Sequence, residues 1–134
     1  MVGYSGTPLA MKLGIKPGHR VWAKGAPKDY PRLLAPLPEG VKLMGRAGKG
    51  LDLIHFFTRR KAELAAALPR LLSAIQRDGT IWISWPKQAS KVETDLTEDV
   101  VRKLALPLGL VDVKVCAVDE VWSGLKLVIR KTLR

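Results

Sequence analysis

Apolar residues fall along this chain in two rhythms. Short continuous or alternating runs, bounded by Gly, Pro and Asp, predict strands over residues 20–24, 41–44, 51–57, 80–86, 111–118 and 124–131. Between the third and fourth of these, Leu64, Leu68, Leu71, Leu72 and Ile75 recur at helical spacing and form one apolar stripe. Thr58 stands where an N-cap would, and Pro69 predicts a kink or a break in that helix. A second stripe, Val101, Leu104, Ala105 and Leu108, follows Asp95-Leu96-Thr97-Glu98, which has the spacing of a capping box with Asp95 as N-cap. Thr7-Pro8 and Gly14 bracket a short helix near the start, and Pro31 and Pro36 allow only a short one between residues 29 and 37.

Strand, helix, strand, helix, strand is the order of a parallel α/β sheet, and the run ending in Trp85-Pro86-Lys87 is its central strand. The last two strands are separated only by Asp119-Glu120-Val121-Trp122-Ser123, so they must be antiparallel neighbours. The expected organisation is one domain over residues 1–134, with 1–14 an arm and short helix and 20–134 a sheet of about six strands. Open sheets of this kind bind ligands beyond the carboxyl ends of their strands. Lys24, Arg46, Arg59, Trp85, Lys87, Asp119 and Trp122 all fall at or near that edge. They suggest a small anion pocket in which Trp85 or Trp122 stacks on a flat ligand and the cations hold its phosphate or carboxylate. The bland reading of the same residues is that Trp22 and Trp82 are core, that Trp85 and Trp122 seal the sheet edge, and that the protein works through a partner.

Charge sharpens this picture. The net charge of +11 resides wholly in residues 1–92, which hold 16 basic and 5 acidic residues, while residues 93–134 hold 7 of each. Such a field suits an anionic ligand or a weak, sequence-independent contact with nucleic acid, although no nucleic-acid-binding motif is present. Arg59-Arg60-Lys61 sets three cations at the start of a helix, where the helix dipole disfavours them; a solvated basic corner is the default reading, and the conflict hints at an anion or acidic partner. Gly45 to Gly50 holds three further glycines and cations but lacks the ending of a phosphate-binding loop, so it reads as a turn. His55, inside an apolar run, reads as a satisfied core histidine, and the single cysteine, Cys116, as an inert buried thiol. One cysteine permits no internal disulfide, no metal site is suggested, and no secretory signal or bilayer-spanning run occurs, so a cytoplasmic, non-membrane setting is expected.

Two resemblances follow from particular phrases. Leu13-Gly14-Ile15-Lys16-Pro17-Gly18-His19-Arg20-Val21 resembles the lead-in to the first strand of class I S-adenosylmethionine-dependent methyltransferases. That likeness implies a reduced Rossmann-like three-layer sandwich, mainly parallel with an antiparallel C-terminal pair. It also implies a glycine-rich cofactor loop after the first strand and an acidic residue near the end of the second. Here those places hold Lys24-Gly25-Ala26-Pro27-Lys28 and Gly45-Arg46, and a guanidinium offers no acceptor to a ribose. Over nearly the whole chain, Gly3-Tyr4-Ser5-Gly6-Thr7-Pro8-Leu9, Ser84-Trp85-Pro86-Lys87, Asp95-Leu96-Thr97-Glu98 and Lys114-Val115-Cys116-Ala117-Val118-Asp119-Glu120 together resemble a bacterial family of small single-domain proteins of unknown function. The sequence therefore favours a non-enzymatic ligand-binding or regulatory protein whose cofactor, if any, is unknown. An atypical methyltransferase, a nucleic-acid binder and a protein-partner module are the alternatives.

Overall fold

The computed structural model describes residues 7–46 and 48–134, so the expected N-terminal arm over residues 1–6 lies outside it. Six strands form one sheet: β1 (Arg20–Lys24), β2 (Lys42–Met44), β3 (Leu51–Phe57), β4 (Ile75–Pro86), β5 (Leu110–Ala117) and β6 (Trp122–Ile129). Their order across the sheet is β2-β1-β3-β4-β6-β5. β1 to β4 run parallel, while β6 lies between β4 and β5 and is antiparallel to both. The fold is thus the reduced Rossmann-like sandwich, mainly parallel with an antiparallel pair at its C-terminal end.

The strands nearest the centre are buried on both faces because helices cover both. On one face α3 (Lys61–Ala74) and α4 (Glu98–Ala105) set Leu64, Leu68, Leu71, Val101 and Ala105 against Ile54, Phe56, Ile81, Ile83, Trp85, Leu125 and Leu127. On the other, α1 (Leu9–Leu13) and α2 (Tyr30–Leu34) set Leu9, Leu13, Tyr30 and Leu34 against Val21, Leu53, Phe57 and Trp82. The buried Trp82 indole N–H donates to the Leu13 carbonyl at 2.8 Å, which ties the end of α1 to the central strand.

Three local expectations are corrected. Of the kink or break expected at Pro69, the break is absent: α3 passes through Pro69 as one helix. Pro69 is exposed, so the carbonyl it leaves without an amide partner can turn to solvent. Ile75 opens β4 instead of closing the helical stripe, and Asp78-Gly79 lies in an excursion between the pairings Leu51–Ile75 and Leu53–Thr80. A side chain at Gly79 would begin 2.9 Å from the Gln76 carbonyl oxygen, so the excursion needs a glycine. The caps are also exchanged. Thr97, not Asp95, caps α4 by accepting the Val100 amide at 3.2 Å. Asp95 instead accepts the Lys61 amide at 2.7 Å and so caps α3 from another loop. Thr58 accepts the Arg60 amide at 3.2 Å, before that helix begins.

Candidate functional site

From β1 the chain turns to β2 on one side and then returns to β3 on the other. The carboxyl ends of β1 and β3 therefore form the point at which strand order reverses, where open α/β sheets leave a crevice. Gly25 follows β1 with φ +73°, and a side chain there would begin 2.5 Å from the Phe57 carbonyl oxygen. The loop thus lies directly on the end of β3, and only glycine fits.

Above this contact is a cavity of about 300 Å³ lined by Gly25, Phe57, Thr58, Arg59, Arg60, Glu63 and Trp122. A second, also about 300 Å³, shares Arg59 and Arg60 and extends to Glu93, Thr94 and Asp95. Together they make a trough along the first turn of α3. Its wall is fixed by the loop that caps the helix: the Thr94 hydroxyl donates to the Arg59 carbonyl at 2.7 Å, and the Asp95 amide donates to the same oxygen at 3.3 Å. The Asp95 carboxylate, accepting the Lys61 amide at 2.7 Å, sets a negative charge at the start of α3. The guanidinium groups of Arg59 and Arg60 stay exposed along the trough. Trp122 closes one end, edge-on to Phe57 with ring centres 5.2 Å apart.

Of the seven residues expected at the site, the trough brings together Arg59 and Trp122. Lys24 lies on the other side of the sheet edge, lining an apolar groove of about 260 Å³ with Trp22, Phe56, Arg70 and Leu71. Trp85 is core, 7% exposed and packed among the α3 and α4 side chains, so it offers no stacking wall. Period two along β4 turns Trp85 with Ile81 and Ile83 toward those helices. Asp119 accepts the amides of Val121 and Trp122 at 2.8 and 2.7 Å, which shapes the turn that presents Trp122. The Lys87 amide donates to the Val121 carbonyl at 2.7 Å, joining β4's end to that turn. Arg46 is exposed after β2 and does not line the trough. Glu63 and Gly25 join the site without having been expected there, and Arg60, expected only as part of the basic cluster at the start of the helix, joins it too. The signal for Arg60 and Glu63 was their place in the first turn of the helix leaving β3, and for Gly25 its place at the end of β1.

Beneath the trough, His55 is wholly buried in β3. Its Nδ1 lies 2.7 Å from the Tyr30 hydroxyl and its Nε2 2.7 Å from the Ser84 hydroxyl, so both ring nitrogens have partners. Burial pushes its pKa down to about 3 and pushes the Tyr30 phenol up, so both groups are neutral at physiological pH. This is the satisfied core histidine expected from the sequence. Cys116 is partly buried, and burial pushes its thiol up, while Lys12 and Lys114 pull it down.

The fold is similar to that of several solved methyltransferase structures. An S-adenosylmethionine-dependent methyltransferase from Aquifex aeolicus superposes with a TM-score of 0.61 at 16% identity, over 89% of this chain and 86% of that one. Aeropyrum pernix fibrillarin with bound S-adenosyl-L-methionine gives 0.58 at 14% identity, over 90% and 73%. Magnesium protoporphyrin IX methyltransferase from Synechocystis, with bound S-adenosylhomocysteine, gives 0.57 at 14%, over 90% and 78%. No protein-family model and no curated protein sequence matches the chain. Among the described residues no helix is long and apolar enough to cross a membrane, and no group of three or more His, Cys, Asp or Glu is placed to hold a metal ion.

The usual cofactor pose does not fit these residues. The loop after β1 spends its one glycine on the Phe57 carbonyl, Pro27 lacks an amide donor, and Gly45-Arg46 follows β2 where an acid would accept ribose hydrogen bonds.

Proposed function

We propose that this chain is an atypical methyltransferase-fold protein that binds an adenosyl amino acid of the S-adenosylmethionine type in the trough beside α3. The observation that carries the reading is the lining of the cavity at the strand-order reversal, the first of the two that make the trough: two guanidinium groups, one carboxylate and one indole. Arg59 and Arg60 suit a ligand carboxylate, Glu63 a ligand ammonium or ribose hydroxyls, and Trp122 an adenine face. When bound, such a cofactor supplies an electrophilic methyl group. The neighbours that carry it or its product share this fold.

A second reading, a non-enzymatic receptor for a phosphorylated or carboxylated ligand, draws on the same two guanidinium groups and on the missing ribose acceptor after β2.

Thermal shift and calorimetry with S-adenosylmethionine, S-adenosylhomocysteine and a panel of phosphorylated metabolites separate the two. A ligand at 100 times its Kd adds about 2.7 kcal/mol of stability. The first reading expects a shift with the adenosyl ligands that Glu63→Gln and Arg60→Ala each weaken. A shift only with phosphorylated compounds, lost in Arg60→Ala and kept in Glu63→Gln, establishes the second. No shift with either group overturns both.

A further inference from the structure

The face of β5 and β6 turned away from α3 and α4 carries a second concentration of charge that the trough does not use. In the register of β5 and β6, Lys114 stands directly across from Lys126, on the sheet face that bears Trp82. Like charges directly opposite one another destabilise a strand pair. These two strands contain one carboxylate, Asp112, and it faces away, accepting from Arg102 of α4 at 3.1 Å on the other side of the sheet. Lys16, in the turn after α1, adds a third cation, and burial together with Lys114 and Lys16 pushes the Lys126 ammonium down. Lys12 also acts on this face, through Cys116 beside it.

α3 and α4 pack on the far side of β4, β5 and β6, whereas here Lys126, Val111, Val128 and Cys116 are only half-buried and Lys114 is exposed. The Lys126 ammonium lies against Gly14 at the end of α1, 3.6 Å from where a side chain would begin. The face is cationic, and the one aromatic ring of β5 and β6, Trp122, is turned to Phe57 at the cavity beside α3, away from the lysine pair four residues along the strand.

We propose that Lys16, Lys114 and Lys126 form a docking face for the phosphodiester backbone of duplex nucleic acid, bound without sequence readout. A face on which β5 and β6 present lysines and no carboxylate suits a row of phosphates, and the mutual repulsion of the lysines is relieved when phosphates lie between them. This face is independent of the adenosyl site.

The test is fluorescence anisotropy with two short labelled duplexes of unrelated sequence. Three phosphate contacts give a salt slope of about −2.7, so affinity should fall roughly 40-fold between about 50 and 200 mM salt, equally for both duplexes. Replacing both Lys114 and Lys126 by Ala should bring the slope to about −0.9 and raise the melting temperature of the free protein by removing the repulsion. Lys114→Ala alone, at an exposed site, should remove about one unit of slope even if position 126 does not tolerate change. Lys103→Ala, on α4 across the sheet, should leave binding as it is. No binding at about 50 mM salt overturns the proposal. So does a slope unmoved by the lysine changes, a loss that follows Arg59→Ala and Arg60→Ala instead, or binding to phosphatidylserine vesicles in place of duplex.

Discussion

The two faces of β4 solve the same burial problem by different means. Toward α3 and α4 it presents Ile81, Ile83 and Trp85 to an entirely apolar layer. Toward α1 and α2 it presents Trp82 and Ser84, whose polar atoms are matched to the Leu13 carbonyl and to His55, and through His55 to Tyr30. The first face is stabilised by area and close packing, without directional demands. The second stays stable only while each donor keeps its acceptor, because a buried polar group left alone costs about 1–3 kcal/mol. Volume should therefore dominate on one face, and protonation state and hydroxyl identity on the other.

The largest effect is expected on the apolar face. Ile83→Ala removes a fully buried side chain between β4 and the helices and should cost about 2–5 kcal/mol in urea unfolding, with little dependence on pH. A loss under about 1 kcal/mol would mean that the layer is loosely packed.

On the polar face the signature is pH. His55 has a folded-state pKa near 3 against an ordinary 6.5, so the unfolded chain takes up a proton that the folded chain refuses. The sign is that of a depressed base. Stability from this group is complete above pH 6.5 and declines as pH falls toward 3, by up to about 1.4 kcal/mol per unit. Between pH 6.5 and 5 that amounts to about 2 kcal/mol. His55→Gln should flatten the curve of stability against pH over this interval whatever it does to stability at pH 7. An unchanged curve would assign the slope to other groups.

Smallest is Tyr30→Phe, which keeps the ring and its edge-on contact with Phe57 but deletes the hydroxyl that meets His55 Nδ1. The expected loss is about 1–2 kcal/mol by thermal unfolding. A neutral result would show that water or a ring tautomer takes over the partnership.

Much of the architecture was legible from periodicity. The run Arg20–Lys24 was bounded correctly by turn residues on both sides, and so was Leu51–Phe57 by continuous burial. The stripe Leu64, Leu68 and Leu71 placed α3 face-on to the sheet. What failed was information that the chain holds only in three dimensions. Asp95 matches a local capping pattern, yet its carboxylate serves a helix 34 residues away, and no local spacing distinguishes the two. Trp85 looked like an edge aromatic because Pro86 and Lys87 follow it, but its face is set by the register of β4 against β3 and β6. The site fared less well than the fold for the same reason. Arg59 was found from its place after a strand, whereas Glu63 enters the trough only because α3 leaves β3 at one particular angle.

The position of β6 has a consequence for the order in which the molecule can be built. β5 touches the rest of the sheet only through β6, although β5 is made first. During synthesis β5 therefore waits with both edges unpaired until residues 122–129 have emerged, and then one strand, entering between β4 and β5, closes two ladders at once. Completion of the sheet is held until β6 has been translated, and until it arrives the far edge of β4 is an open template for another chain.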